Sequence, residues 1–140
     1  MIVNLQRKIK LEARGFAGFL SEAVAAVEEA EGGDAAVAFV SDRRMRQLNK
    51  LFRGKDGTTD VLSFPHEAEE FENADQRFLG DIVISAEQAA RQAEENGLAF
   101  EAEIKQLILH GLLHLCGYDH ESDGGEMDAR ELELRDKLGI

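Results

Sequence analysis

The sequence predicts an α/β domain with a small sheet and several helices, and three observations support that prediction. Short apolar runs that suit buried strands alternate with longer stretches in which apolar residues recur at helical spacing. The chain has 140 residues, the usual size of one domain, and is 44% hydrophobic and 31% charged, as folded proteins are. No internal repeat or linker divides it, so we expect residues 1–140 to form a single domain.

Two strands and two helices are predicted in the N-terminal part of the chain. Apolar residues from Phe16 to Val27 recur at helical spacing, and Gly32 stops that helix. The run AAVAFV suits a buried strand. Residue 41 or 42 can cap the next helix, which has Met45 and Phe52 on one face. The predicted bounds are 2–6 for the first strand, 15–29 for the first helix, 35–40 for the second strand and 41–52 for the second helix.

Two more strands and three more helices are predicted after residue 58. Pro65 closes the first of these strands, and the acidic, polar residues 66–77 suit a solvated loop. Gly97 breaks a helix, and Glu126 suits a capping box with Ser122 or Asp123. The predicted bounds are 59–64 and 80–85 for the strands, and 86–95, 100–115 and 122–138 for the helices.

Cysteine count and hydropathy indicate a cytoplasmic protein. Cys116 is the only cysteine, so an intramolecular disulfide is impossible. The N-terminus lacks a signal-peptide core, and no apolar run approaches the roughly 20 residues of a spanning helix. We therefore expect a soluble protein with no membrane partner.

The charge of the chain is unevenly distributed. The net charge of −12 argues against a nucleic-acid partner, because such domains tend to be basic. Residues 1–55 nevertheless have a net charge of +3, whereas residues 56–140 have −15. Six cations fall within residues 43–55: Arg43, Arg44, Arg46, Lys50, Arg53 and Lys55. They are either a docking surface for a phosphate-rich partner or a solvated helix face.

A metal site is predicted in the segment HGLLHLCGYDH. His110 and His114 lie one turn apart on one face of a helix, and Gly117 allows the chain to reverse so that His120 approaches them. Three neutral imidazoles occupy three positions of a tetrahedral zinc ion and leave the fourth for water. Such a centre favours hydrolysis. Zinc, one ion per chain, is the expected metal, although nickel or another divalent ion also suits these ligands.

The spacing is that of the metzincin motif, with Gly111 in place of the catalytic glutamate. The missing base weakens a protease interpretation. Glycine inside a helix costs about 1 kcal/mol relative to alanine, so a need for space is expected at Gly111. That space serves either a phosphate beside the metal or close packing of the helix on a strand.

The chain resembles the YbeY endoribonuclease family over roughly residues 37–138. The resemblance rests on the segment from His110 to His120 and on the runs RGK, TDVLSFP and LGDI, which begin at residues 53, 59 and 79. It implies a four-stranded mixed sheet with about five or six helices, and zinc on His110, His114 and His120. It also implies a functional arginine at Arg53, so we place Arg53 and His114 in the catalytic centre.

The same resemblance implies cleavage of single-stranded RNA in maturation of the 16S ribosomal RNA 3′ end and in ribosome quality control. The implied partners are the small ribosomal subunit and ribosome-associated proteins. Two other functions share the histidine geometry. One is a metallopeptidase, and the other is a non-catalytic, metal-stabilised factor for ribosome assembly.

Several further polar residues are secondary candidates. Asp60 and Asp81 are either bases or partners of the metal ligands, or else turn and cap residues. Asp119 either orients an imidazole or stabilises the turn. Tyr118 either contacts substrate or covers the turn, whereas His66 and Cys116 are interpreted as a bystander and a packing residue.

Overall fold

A four-stranded sheet and the helices on its two faces make up the computed structural model, which describes residues 1–67, 77–119 and 121–140. The strands of the described residues are β1 (Ile2–Asn4), β2 (Gly33–Val40), β3 (Val61–Pro65) and β4 (Arg77–Ser85). Their helices are α1 (Ala17–Ala26), α2 (Asp42–Arg53), α3 (Ala86–Asn96), α4 (Phe100–Leu115) and α5 (Glu126–Leu138). Short 3-10 turns precede and follow α1. The predicted fold class is confirmed.

The sheet is mixed and has the strand order β1-β2-β4-β3. β1 is parallel to β2 and β2 is parallel to β4, whereas β3 is antiparallel to β4. β3 is therefore an edge strand. Proline lacks a backbone N–H, and Pro65 is tolerated there because that position needs no hydrogen bond to a further strand. This edge also brings the residues that flank β3 close to the end of α4.

Alternate residues of β4 face two separate apolar clusters. Ile82 and Ile84 belong to the main core, which lies between the sheet and helices α1, α4 and α5. Val83 faces the other side, where it packs with Met45 of α2. Most of α4 is buried because it lies between the sheet and other helices, and His110 and His114 are two of its partly exposed residues. No described helix is long and apolar enough to cross a membrane.

β4 begins at Arg77, three residues before the predicted strand and inside the region predicted as a solvated loop. The extension depends on a bulge, since Asp34 pairs with Phe78 and the next residue of β2 pairs with Gly80. Gly80 has φ +141°, and a Cβ there would lie 2.3 Å from the carbonyl oxygen of Phe64. The remainder of the predicted loop, residues 68–76, lies outside the described residues.

The prediction that the last helix begins at Ser122 or Asp123 is wrong, because α5 begins at Glu126. Gly125 has φ +102° and cannot belong to a right-handed helix. The carboxylate of Asp123 nevertheless accepts a hydrogen bond from the backbone N–H of Met127, at 3.0 Å. Asp123 thus caps the helix from outside it. The first predicted helix is also shorter, since α1 ends at Ala26 and the next residue, Val27, is extended.

Candidate metal centre and active-site cleft

The two described histidines of the predicted metal site converge. His110 and His114 are four residues apart on α4, and the helix places their rings on one face. Their Nε2 atoms lie 3.2 Å apart, and their ring planes meet nearly edge to face. The third predicted ligand, His120, lies outside the described residues.

The other nitrogen of each ring has a partner that favours one tautomer. His114 Nδ1 is 2.9 Å from the backbone carbonyl oxygen of Tyr118, which can only accept, so Nδ1 carries the proton. His110 Nδ1 is 3.1 Å from the carboxylate of Glu131 and donates to it. In the neutral rings each Nε2 therefore presents a lone pair, and the two lone pairs face each other.

Two ring acceptors at this distance fit a shared metal ion. Nitrogens that both lie 2.0–2.1 Å from a tetrahedral zinc ion are separated by about 3.3 Å, which agrees with the observed separation. Among residues 1–67, 77–119 and 121–140 no set of three His, Cys, Asp or Glu side chains suits a metal. The described part of the chain thus contains two of the three histidines that were predicted as ligands, and these two converge.

Glu131 is a functional candidate that the sequence interpretation missed. It is 8% exposed on α5, and Arg135 lies 3.5 Å from its carboxylate. Burial opposes its ionisation, but the hydrogen bond from His110 and the charges around it hold the pKa of Glu131 below its ordinary value. A signal was available, because Glu131 lies at helical spacing between the buried Met127 and Leu134. A charged residue on an apolar helix face indicates a specific partner.

A cleft of about 650 Å³ brings Arg53 together with His110 and His114. Arg53 reaches it from the end of α2, where Gly54, at φ +67°, ends the helix. The guanidinium is 3.9 Å from Glu121, whose side chain is 67% exposed, so this ion pair is weak. Arg53 therefore remains available to an anion in the cleft. The predicted association of the arginine with the histidines is present in the fold.

Asp60, Tyr118 and Asp119 also line the cleft. Asp60 accepts hydrogen bonds from the backbone N–H of Val61, at 2.8 Å, and from Gln92, at 3.2 Å. The hydroxyl of Tyr118 donates to Glu29, which raises the pKa of the tyrosine.

Asp119 accepts from the backbone N–H of Glu121, at 3.1 Å, as a turn residue does. Among the described residues, Nδ1 of His110 contacts Glu131 and Nδ1 of His114 contacts the Tyr118 carbonyl. The relation of Asp119 to His120 lies outside the described residues.

Three other candidates lie away from the residues that line the cleft. Asp81 borders a separate groove with Val83, on the face of the sheet opposite Ile82, so its suggested role as a base or ligand partner is not supported. His66 packs edge-on against Phe78, with ring centroids 5.2 Å apart. Cys116 is half-buried, and burial raises the pKa of its thiol.

Gly111 faces the sheet. A Cβ there would lie 2.7 Å from Cγ2 of Ile82 and 3.2 Å from Oγ of Ser63. The same serine hydroxyl donates to the carbonyl oxygen of Gly111, at 3.3 Å. Of the two interpretations of Gly111, the structure supports close packing of helix on strand. The glycine leaves room for β3 and β4.

Comparisons with known proteins agree on one family. The family model described as Endoribonuclease YbeY matches residues 1–139. An Endoribonuclease YbeY of Macrococcus caseolyticus is 46% identical over 87% of this chain and 80% of its own length. One of Caldanaerobacter subterraneus is 42% identical over 96% of this chain and 94% of its own. A solution structure from Thermotoga maritima aligns with TM-score 0.64 and 30% identity over 99% of this chain and 89% of its own. The chain therefore belongs to the YbeY endoribonuclease family.

Proposed function

We propose that the chain is a zinc-dependent endoribonuclease that cleaves single-stranded RNA in maturation of the 16S ribosomal RNA 3′ end and in ribosome quality control. The observation that supports the metal most directly is the pair of Nε2 atoms, 3.2 Å apart, with both Nδ1 atoms engaged elsewhere. His110, His114 and His120 would hold one zinc ion per chain, although nickel would suit the same ligands. The family supports the RNA substrate.

The chain's own residues bind and orient the phosphodiester. When bound, zinc supplies Lewis-acid chemistry, since it acidifies water and polarises an anionic oxygen. Arg53 would grip the phosphate with two hydrogen bonds and stabilise the negative charge that develops during attack. Glu131 and the Tyr118 carbonyl hold the imidazoles in one orientation, so that the ligands need no rearrangement.

The charge of the chain supports the proposed ribosomal setting. A net charge of −12 disfavours binding of free RNA, so we propose that the small ribosomal subunit and associated proteins present the strand to the cleft. This setting places the protein in the cytoplasm. Cleavage of naked RNA is then slower than cleavage within a ribosomal particle.

A cleavage assay tests the proposed function. Wild type, His110→Ala and Arg53→Ala are incubated with a 16S 3′-end precursor, with Arg44→Ala as a matched control from the same helix. We expect His110→Ala to lose metal and cleavage, and Arg53→Ala to keep its metal but lose about 10²–10³-fold in kcat/KM. Arg44, which donates to Gln47, is expected to be dispensable. Full cleavage by metal-free His110→Ala would refute the proposal.

The products identify the nucleophile. A 2′,3′-cyclic phosphate would show attack by the RNA's own 2′-hydroxyl, whereas direct hydrolysis by water leaves no cyclic product. The metallopeptidase alternative lacks support at residue 111, where a glycine packed on Ile82 replaces the catalytic carboxylate. Metal-dependent cleavage of a panel of generic peptides would support the metallopeptidase alternative. A non-catalytic assembly factor would show no metal-dependent cleavage at all.

A further inference from the structure

Four cations of α2 form one line along the helix. Arg43, Arg46, Lys50 and Arg53 follow one another at intervals of three, four and three residues, which places them within one narrow sector of the helix surface. All four side chains are exposed. The line, called the α2 cation stripe below, extends over about 15 Å.

The α2 cation stripe leads into the active-site cleft. Arg53, at its C-terminal end, lines the cleft beside His110 and His114. The stripe borders the buried side of the helix at Asn49, whose side-chain amide donates to the carbonyl oxygen of Gly57, at 3.0 Å. This bond holds the loop before β3 against α2, so the stripe and the cleft-lining Thr59 and Asp60 belong to one continuous surface.

Within the described residues, most cations of the α2 cation stripe have no carboxylate partner. In the part of the chain that the structure describes, only Arg53 of these four cations is within 4.0 Å of a carboxylate, the exposed Glu121. Asp42, the acidic residue at the start of α2, is already bound by Arg91 and Ser85. Since residues 56–140 have a net charge of −15, a polyanion that enters the cleft meets repulsion elsewhere on that part of the chain. The stripe gives it an attractive route.

We propose that the α2 cation stripe binds the phosphate backbone of single-stranded RNA on one side of the scissile phosphate. This inference rests on the proposed function, because Arg53 is then both the last cation of the route and the group that grips the reacting phosphate. Arg43, Arg46 and Lys50 contact the flanking phosphates. These contacts position the strand without reading its sequence.

The test compares two triple variants with the same change in net charge. The stripe variant is Arg43→Gln/Arg46→Gln/Lys50→Gln, which keeps Arg53. The control is Arg7→Gln/Lys8→Gln/Lys10→Gln, three exposed cations that follow β1, the strand at the opposite edge of the sheet from β3. Dissociation constants for a single-stranded RNA are measured from 50 to 200 mM salt with each complete chain. Thermal unfolding confirms that both variants are folded.

Each phosphate contact on a single strand adds about 0.7 to the slope of log K against log salt concentration, so the stripe variant should lose about two units of slope. We also expect at least a tenfold weaker affinity at 0.1 M salt, and a change below twofold in the control. Arg43→Lys/Arg46→Lys, which keeps the charge, should retain most of the slope.

Equal slopes for the stripe and control variants would overturn the inference and leave the proposed cleavage untouched. Stripe-dependent RNA binding by a wild type that cleaves no RNA would support the inference and refute the proposed function. A wild type that does not bind single-stranded RNA at any salt concentration in this range would refute the inference, whereas the proposed function is tested separately by the cleavage assay.

Discussion

The hydrogen bonds to Nδ1 of His110 and His114 determine which ring nitrogen each histidine can offer to a metal. In a metal site the second nitrogen of a ligating imidazole usually donates to a carboxylate or a carbonyl, and these partners fix the tautomer and the ring orientation. Both kinds are present here, the carboxylate from Glu131 and the carbonyl from Tyr118. Glu131 comes from another helix, so the orientation of His110 depends on how α5 packs.

Replacing Glu131 should weaken zinc binding. We expect Glu131→Ala to raise the zinc dissociation constant about 10–100-fold, because His110 loses the acceptor that orients it. Glu131→Gln should lose less, since its amide oxygen can still accept from Nδ1. Competition with a chromophoric chelator measures the constant without any cleavage assay.

The matched control is Glu133→Ala, an exposed glutamate of the same helix that pairs with Arg130. Its zinc affinity should equal that of the wild type. An unchanged zinc affinity in Glu131→Ala would show that Glu131 has no role in zinc binding.

Some features of the histidine pair and its neighbours could be predicted from the sequence, and others could not. The i, i+4 spacing of His110 and His114 was sufficient to predict their convergence, because helix geometry alone determines it. Helical spacing marks Glu131 as a charged residue on a buried face of α5, but its contact with His110 could not be predicted, since it depends on the packing of α5 against α4. For the same reason, the sequence could not decide whether Gly111 makes room for a phosphate or for close packing. Only the fold shows that the side of Gly111 without a Cβ faces Ile82.

Gly111 gives a test of that packing. Alanine is the better helix former, yet its Cβ would overlap Cγ2 of Ile82, and overpacking of this kind costs about 1–3 kcal/mol. We expect Gly111→Ala to lower the free energy of unfolding in the wild type. In an Ile82→Ala background the same change should be neutral or stabilising. Urea unfolding of the wild type, the two single variants and the double variant gives the coupling energy between residues 111 and 82. A coupling energy near zero would show that Gly111 does not pack closely against Ile82.

At the scale of elements, one carboxylate joins α2 to the end of β4 and to α3. Asp42 accepts hydrogen bonds from Ser85 and Arg91, each at 2.6 Å. Burial opposes its ionisation, but these two partners together with Thr58 hold the pKa of Asp42 below its ordinary value. The position of α2, and with it that of Arg53, depends on this junction.

Asp42→Asn should therefore destabilise the fold in a pH-dependent way. Because the pKa is lower in the folded state, the contribution of the carboxylate is fully present above the unfolded pKa of about 3.9 and is lost as pH falls through the folded value. At pH 7 we expect a loss of about 1–2 kcal/mol, which shrinks towards zero below about pH 4. Urea unfolding from pH 3 to 7 measures it. A difference that stays constant with pH would contradict the account, and the exposed Asp56→Asn should show little change throughout.

The elements that were predicted well have strong local signals. For α2 the predicted start at 41 or 42 is close to the observed one, because Ser41 Oγ accepts from the backbone N–H of Arg44, at 3.2 Å. The bounds of α4 agree with the prediction, since its apolar residues recur throughout. The early start of β4 at Arg77 was not predictable, because the guanidinium is held by the carbonyls of Glu29 and Glu31, which are distant in sequence. The strand order is likewise a property of the fold.

In the molecule as a whole, the basic part of the chain borders the cleft. Ten of the 16 lysines and arginines lie before residue 56, and the α2 cation stripe among them leads to a cleft whose other walls come from the acidic remainder of the chain. Opposed charges of this kind restrict a polyanion to one approach, which agrees with the proposed presentation of the strand by a larger particle. The sequence showed the asymmetry, but only the fold shows that its basic part borders the histidines.

The proposed function requires a metal held by His110, His114 and His120 for cleavage of single-stranded RNA. The most direct measurement strips the protein with a chelator, confirms that it remains folded, and follows cleavage of a single-stranded RNA while zinc is added back. We predict no cleavage without metal and full recovery at one zinc ion per chain, with no recovery in His114→Ala. Undiminished cleavage by folded, metal-free protein would contradict the claim.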